Sequence, residues 1–457
     1  VEYLQRYPFL MVDTRLFAAE FKAALLRALD DLDEQCDGLL IHSDNFQALN
    51  LLQERYKEQV KSIYIDPPYN TSASEILYKN SYKNSSWMSL VNNRIEISKS
   101  LLNYNTGVLC CTIDDFEQKN ISHVIEQNFE EVAGTVAIRI KPSGRPIPNG
   151  FAVSHEYAIF ARKNPEYPIA RLGRSEEQLA RYGQKDEKGS FFWESLRKAG
   201  SGSNREDRPT MFYPIVFNKA TKKLRVPSFA FDNKSQQYII LEQLDSHNEI
   251  TILPIKDDGS DGRWYLGFDR VKNSQEELKA EIQPDGTYRV YYRRRPNAGV
   301  QPTTHWSDSK YSATEHGTAV IKQQFGSQES FSYPKSIYAV IDCLSVAGVA
   351  QDGHATVLDY FAGSGTTGHA VISLNRDDKE DGKRKYILVE QGEYFDTVLK
   401  PRMQKVVYAA DWKDGKAAKH STGISHAFKV LKLESYEDTL NNLELKRPQT
   451  ELFEHMT

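Results

Sequence analysis

The chain has 457 residues, with 40% hydrophobic and 26% charged side chains, an ordinary composition for a folded protein of two or three domains. Its formal net charge of −4 excludes a whole-molecule basic field, so any nucleic-acid surface has to be a local patch. No apolar stretch approaches the roughly 20 residues of a membrane span, and Cys36, Cys110, Cys111 and Cys343 lack C-x-x-C spacing, so reduced thiols in a cytoplasmic setting are expected instead of disulfides or a zinc site.

In chain order, apolar residues at three-to-four spacing predict an amphipathic helix from Thr14, as N-cap, to about Asp33, with a packing or partner role. Leu39-Leu40-Ile41 reads as a short strand, followed by the polar turn His42–Asn45 and a helix through Leu49, Leu51 and Leu52. The next strand, Ile63–Ile65, establishes the βαβ pattern of a parallel sheet. It stops at Asp66-Pro67-Pro68-Tyr69, where two prolines force the chain out of the sheet in a rigid, extended form. A carboxylate, an aromatic ring and carbonyl oxygens thus gather at a strand's carboxyl edge, where open α/β sheets bind ligands. Those groups suit a flat heterocycle bearing an exocyclic amine.

A polar, aromatic stretch (Tyr78 to Trp87), a helix from Ser86 to Leu102, the strand Val108–Ile113 and a helix from Phe116 to Phe129 follow. A strand from Val132 to Ile140 leads into a proline- and glycine-punctuated loop, Lys141 to Gly150, in which Lys141 and Arg145 could touch a nucleic-acid strand. The strand Tyr157–Phe160 closes this half. The alternation then lapses into a segment of mixed or mostly β character, with expected strands at Phe212–Phe217, Ile250–Ile255, Arg263–Phe268 and Tyr288–Tyr292. Its densest basic run, Arg289 with Arg293, Arg294 and Arg295 among tyrosines, suits phosphate and base contacts or simply a solvated face.

The α/β pattern resumes at Val357–Tyr360, with Asp359 at the strand end, and runs into Phe361-Ala362-Gly363-Ser364-Gly365-Thr366-Thr367-Gly368 and an apolar helix. A strand at Tyr386–Val389 ends in Glu390, and a helix spans Tyr394 to Tyr408. Ser435–Asp438 has capping-box form for a short last helix that Pro448 would end. The three glycines satisfy G-x-G-x-x-G, with Glu390 roughly 20 residues on, which is also the dinucleotide fingerprint of oxidoreductases. Such a turn and acid suit an adenosine-containing cofactor at the sheet edge. A P-loop is excluded because no Gly-Lys-Ser/Thr follows.

"DPPYNT" followed by "FAGSGTTGHA" closely resembles the β-group amino-methyltransferases of DNA, which modify adenine N6 or cytosine N4. The wider context ("HSDNFQAL", "SSWMSLVNNRIEISKSLL", "IDDFE", "SHEYAIF", "FSYPKSIY", "FKVLKLES") is similar to the modification subunits of type III restriction systems. The resemblance covers most of residues 38–433 outside the inserted segment. It implies an α/β fold: a Rossmann-like, S-adenosylmethionine-dependent methyltransferase sheet with an inserted target-recognition domain. The expected layout is an N-terminal helical segment (1–37), a catalytic half (38–163), the insertion (164–328), a cofactor-binding half (329–412) and a C-terminal segment (413–457).

The resemblance also implies roles. Asp66 and the Pro67 carbonyl, with Pro68 shaping the turn, would accept hydrogen bonds from the target amine, and Tyr69 would stack on the flipped base. Asp359, Phe361, Ala362, Gly363, Ser364 and Gly365 would line S-adenosylmethionine, Glu390 would hold its ribose and Asp44 could meet its adenine. Lys335 is a cofactor-side candidate in a segment matching the family's Pro-Lys-Pro element, with Ser336 replacing the second proline. An acid at position 66 goes with adenine, whereas cytosine enzymes usually carry Ser there. No metal is called for. Double-stranded DNA is the implied partner, dimerisation is frequent in the group, and type III relatives pair with a separate ATP-driven nuclease subunit. Cytosine N4 methylation, a catalytically silent recognition subunit and a nicotinamide oxidoreductase are the alternatives.

Overall fold

A nine-stranded sheet organises the larger of two compact units, which comprises residues 1–172 and 301–457. The computed structural model describes residues 2–70, 84–297, 299–326, 331–419, 422–435 and 440. The sheet strands are β1 (Gly38–His42), β2 (Ser62–Ile65), β3 (Val108–Ile113), β4 (Glu131–Ile138), β5 (Glu156–Arg162), β6 (His305–Trp306), β7 (Thr356–Asp359), β8 (Lys385–Glu390) and β9 (Phe428–Lys432). Their order is β6-β4-β5-β3-β2-β7-β8-β1-β9, parallel except that β5 runs against both β3 and β4.

Side-chain alternation along these strands feeds two cores. Leu40, Tyr64 and Cys110 face one side, with helices α4 (Ile337–Val346), α5 (Thr366–Asp378) and α6 (Lys400–Tyr408). Ile41, Ile63, Ile65 and Cys111 face the other, with α1 (Asn45–Tyr56), α2 (Asn84–Lys99) and α3 (Gln118–Asn128). Both faces are covered, so β2, β3 and β8 read as continuous apolar runs and not as alternating ones.

The pairing that positions the site is β2 with β7, Ser62 opposite Val357 and Ile63 opposite Leu358. Beyond β2 the chain continues through α2 into β3 on one side, and beyond β7 through α5 into β8 on the other. Two adjacent parallel strands whose connections diverge open a crevice at their carboxyl ends, the topological switch point.

Several expectations are corrected. The helix expected from Thr14 to Asp33 is broken: a 3-10 turn (Thr14–Leu16) capped by Asp13, extended Phe17, a helix at Ala19–Ala28 and a short turn at Leu32–Gln35. Acidic Asp30-Asp31 at a helix carboxyl end opposes the macrodipole, and Asp31 takes a left-handed φ of 47°. Arg263–Phe268 is not a strand; Trp264 forms only an isolated bridge to Arg197, and its ring is needed in a core with Tyr213 and Val290. The second compact unit is Gly173–Val300, narrower than 164–328, because Tyr167, Trp306 and Ile321 belong to the larger unit. That second unit is built of antiparallel strands, including Gly189–Ser195 paired with Tyr288–Arg294 and Ile215–Asn218 paired with Glu249–Ile252. Within the segment expected at 413–457, Phe428–Lys432 joins the large sheet, because β9 adds a parallel strand beside β1. Residues 436–438 of the expected capping box and Pro448 lie outside the described residues, as does most of the Tyr78–Trp87 stretch.

Leu358 is fully buried at the centre of the sheet. Leu358→Ala is expected to cost about 2–5 kcal/mol, read as a lower urea midpoint with an unchanged slope. A cost under about 1 kcal/mol would mean that this strand is not the packed centre.

Candidate active site

The cleft at the switch point has a volume of about 430 Å³, within the range of roughly 300–1,000 Å³ common for small-molecule sites. It is lined by Asp66, Pro67, Pro68 and Tyr69 from the end of β2, and by Asp359, Phe361, Ala362, Gly363 and Ser364 from the end of β7. Glu390, Lys335, Lys141 and Arg145 also line it. The expected carboxylate and glycine turn thus share one cavity, although the sequence separates them widely.

On the β2 side, the prolines carry the chain outward and Trp87 donates from Nε1 to the Pro68 carbonyl at 2.9 Å. The Pro67 carbonyl has no donor among the described residues. Asp66 Oδ1 accepts from the Tyr69 hydroxyl and from Thr112 Oγ1, each at 2.9 Å. Asp66 Oδ2 lies 2.8 Å from Lys335 Nζ, which is also 3.0 Å from Glu156 Oε2 and donates to the Tyr69 hydroxyl oxygen. The ammonium therefore spends its three N–H groups on three site residues. It stands 4.7 Å from the centre of the Tyr69 ring, a cation–π contact.

Electrostatics keep these groups in defined states. Burial lowers the Lys335 pKa, but the charges of Asp66 and Glu156 outweigh it and raise that pKa above its ordinary value. Burial pushes the Glu156 carboxyl up, with Lys335 acting the other way and Asp66 adding to the rise. Burial and the charges of Asp66 and Glu156 hold the Tyr69 phenol well above its usual range, so it serves as a donor and a ring, not as a nucleophile.

On the β7 side, Gly363 and Gly365 adopt φ of 53° and 82°, left-handed values that favour glycine. Gly368 serves packing: a Cβ there would lie 2.6 Å from Met403 Sδ and 2.8 Å from Leu388 Cδ1. Glu390 accepts from the backbone N–H of Gly363 through Oε2 (2.8 Å) and from Gln391 and Gly392 through Oε1 (2.9 and 2.8 Å), so it fastens the glycine turn to the end of β8. Asp359 accepts from Thr367 Oγ1 (2.6 Å) and from the Phe361 N–H (3.0 Å). Burial raises its pKa to about 7, against those two hydrogen bonds and with the charges of Asp66 and Glu390.

The remaining expected residues are elsewhere. Asp44 does not line the cleft; it caps α1 through the Phe46 N–H at 2.8 Å and faces Arg94. Gly365 shapes the turn without lining the cavity. Lys335 meets the Asp66 group and not the glycine turn. In the second unit each arginine of the basic run is ion-paired: Arg289 with Asp257, Arg293 and Arg295 with Asp186, Arg294 with Glu194. Sequence reasoning missed Glu156, Thr112 and Arg402. Glu156 sits in the quoted "SHEYAIF" run and Thr112 one residue past the β2–β3 register, but only the pairing of β5 and β2 with β3 brings them together. Arg402, buried with no carboxylate partner among the described residues and lowered by burial to about 9, donates to Ser364 O, Ser364 Oγ and Thr366 Oγ1 beneath the turn.

The sheet order, switch-point cleft and glycine turn define a Rossmann-like α/β fold. Residues 60–400 match the DNA methylase family of N6 and N4 methyltransferases, and the chain belongs to that family, whose members methylate DNA. It is 30% identical over 387 residues to the type II methyltransferase M.KpnI of Klebsiella pneumoniae, covering 81% of this chain and 84% of that protein. It is 26% identical over 467 residues to the Mod subunit of the type III restriction-modification enzyme EcoPI of Escherichia phage P1, covering 90% and 68%. Among solved structures, the M1.HpyAVI–SAM complex aligns over 80% of this chain and 98% of its own, at 13% identity and a TM-score of 0.34.

Asp359 gives a pH prediction. Its folded pKa, about 7, exceeds the unfolded value of 3.8, so the folded state holds a proton that the unfolded state has lost between those limits. Its contribution is complete below about pH 4 and disappears as pH rises to about 7, by up to about 4 kcal/mol. Asp359→Asn should lose less stability across that window than the unmodified protein in urea titrations at each pH. Parallel curves would show that Asp359 is ionised throughout.

Proposed function

We propose that this chain transfers a methyl group from S-adenosylmethionine to adenine N6 in duplex DNA. The observation that carries this reading is the cleft shared by the Asp66 carboxylate and the glycine turn. When bound, S-adenosylmethionine supplies a methyl group already activated on a sulfonium. The cavity volume, the backbone exposed by Gly363, the Phe361 ring and the Glu390 carboxylate fit such a group and would hold it.

Adenine N6 is a weak nucleophile because its lone pair is delocalised into the ring. Asp66 and the Pro67 carbonyl accept its two N–H bonds, drawing the nitrogen toward a tetrahedral geometry with the lone pair directed at the methyl carbon. Asp66 would receive the proton that the amine releases on taking up the methyl group. Tyr69 offers a face for the extruded base, whose unstacking costs a few kcal/mol. Orientation does most of the catalytic work. An acid at position 66 supports adenine over cytosine.

Lys141 and Arg145 line the cleft and form no ion pair among the described residues, which supports them as the phosphate contacts in place of the paired arginines. Reading of the target sequence is assigned to the second unit, with base-edge pairs worth about 1–3 kcal/mol each. The Mod-subunit relative supports a modifying role within a larger assembly, with a nuclease subunit as partner and a second copy as companion.

Labelled S-adenosylmethionine, mixed-sequence duplex and nucleoside analysis test the reading: N6-methyladenine is expected, and N4-methylcytosine or no transfer would reject it. Asp66→Ala should lower kcat by about 10²–10⁴ while cofactor binding persists; loss of both would misassign Asp66. Lys141→Ala and Arg145→Ala should each reduce the slope of log affinity against log salt by about 0.9, and an unchanged slope would place the phosphates elsewhere.

A further inference from the structure

Asp66 has both oxygens engaged in the absence of any base, so an arriving amine has to displace a donor. Thr112 is 1% exposed on β3 and cannot swing away, and its hydroxyl serves Oδ1. Tyr69 also serves Oδ1, with Glu156 Oε2 within 3.1 Å as its alternative. Among the described residues only Lys335 serves Oδ2, at 2.8 Å. Its ammonium donates to the oxygen that the amine needs and lies over the ring that the base needs, 4.7 Å from the centroid.

Glu156 is 1% exposed, and its Oε2 already holds Lys335. Its Oε1 is buried with no hydrogen-bond partner among the described residues, which is costly for a carboxylate oxygen and leaves acceptor capacity beside the ammonium. Desolvating a lone ammonium would be more costly still, so a displaced lysine needs an acceptor that stays in the cleft.

Resting on the adenine-methylating reading, we propose that Lys335 is a positioning residue that stands in for the target amine on Asp66 and passes wholly to Glu156 when the base arrives. Glu156 is then the second station of a two-position counterion. Until DNA is engaged, Asp66 is kept oriented and covered. The exchange breaks one charge-assisted hydrogen bond and makes another, with no change in the number of charges in the cleft.

Charge counting makes this testable. Asp66, Glu156 and Lys335 together carry −1. Glu156→Gln leaves Asp66 and Lys335 as a pair of zero net charge, fixing the lysine on Asp66. Lys335→Met with Glu156→Gln restores −1 and uncovers Asp66. Steady-state kinetics on a duplex containing the mapped methylation site are combined with fluorescence of a 2-aminopurine placed beside the target adenine, which brightens on extrusion. Glu156→Gln should raise KM for DNA about tenfold with a smaller change in kcat and dim the 2-aminopurine signal, and the double variant should return KM to within about threefold of the unmodified protein.

A double variant no better than Glu156→Gln, or a fall confined to kcat, would overturn the proposal, because a merely structural role for either residue predicts additive losses. Cofactor binding and melting are measured on each variant. Should Glu156→Gln alone fail to fold, the double variant is compared with unmodified protein: an equal or brighter signal is expected, and a dimmer one overturns the exchange. If the unmodified protein makes no N6-methyladenine, the functional reading fails instead; if it does and the cycle is additive, only this inference fails.

Discussion

Two residue pairs between neighbouring strands, Ser62 with Val357 and Ile63 with Leu358, fix everything that follows in the molecule. They align the carboxyl ends of β2 and β7, so the exits of both strands open into the same crevice. Each strand alone ends in something ordinary, a rigid proline turn or a glycine turn. Side by side, with their helices leaving in opposite directions, they create a walled cavity with a carboxylate on one side and exposed backbone on the other. Buried aliphatic side chains on both faces hold the register, since slipping by one residue would turn each apolar side chain to the wrong face.

The cavity is preorganised by charges with few alternatives. Lys335 sits between two carboxylates, Arg402 grips the glycine turn from beneath, and Glu390 ties that turn to the next strand through backbone N–H groups. Such groups are expensive to bury and therefore rigid once satisfied, which suits a reaction whose chief need is alignment. Among the described residues Glu156 Oε1, Asp114 Oδ2 and Arg402 Nε are buried without partners, and the first of these lies beside the Lys335 ammonium, where the site has room to rearrange.

Much of this was legible in the chain. The β2 and β7 runs, the Asp66 turn and the glycine turn declare themselves locally, because proline and glycine restrict backbone shape whatever the tertiary context. Glu156 and Thr112 were not legible, because they matter only through the strand order that sets β3 beside β2 and β5 beside β3. The antiparallel insertion of β5 leaves no mark on its own sequence. Lys335 was found through its neighbours, but its ion pairs with Asp66 and Glu156 were not legible, since a lysine's reach hides which partner it chooses. The arginine run was legible as a run, but its acidic partners, Asp186, Glu194 and Asp257, were not, because they are distant in sequence.

The most direct measurement is a crystal structure with a bisubstrate analogue, in which adenine N6 is joined through a short linker to the amino-acid and adenosine parts of the cofactor. Adenine should rest against Tyr69 with N6 on Asp66 Oδ2, and the adenosine part should lie along Phe361 to Ser364 beside Glu390. A linked adenine seated away from Asp66 while the adenosine part occupies the glycine turn would contradict the claim that the two strand ends act on one reacting pair.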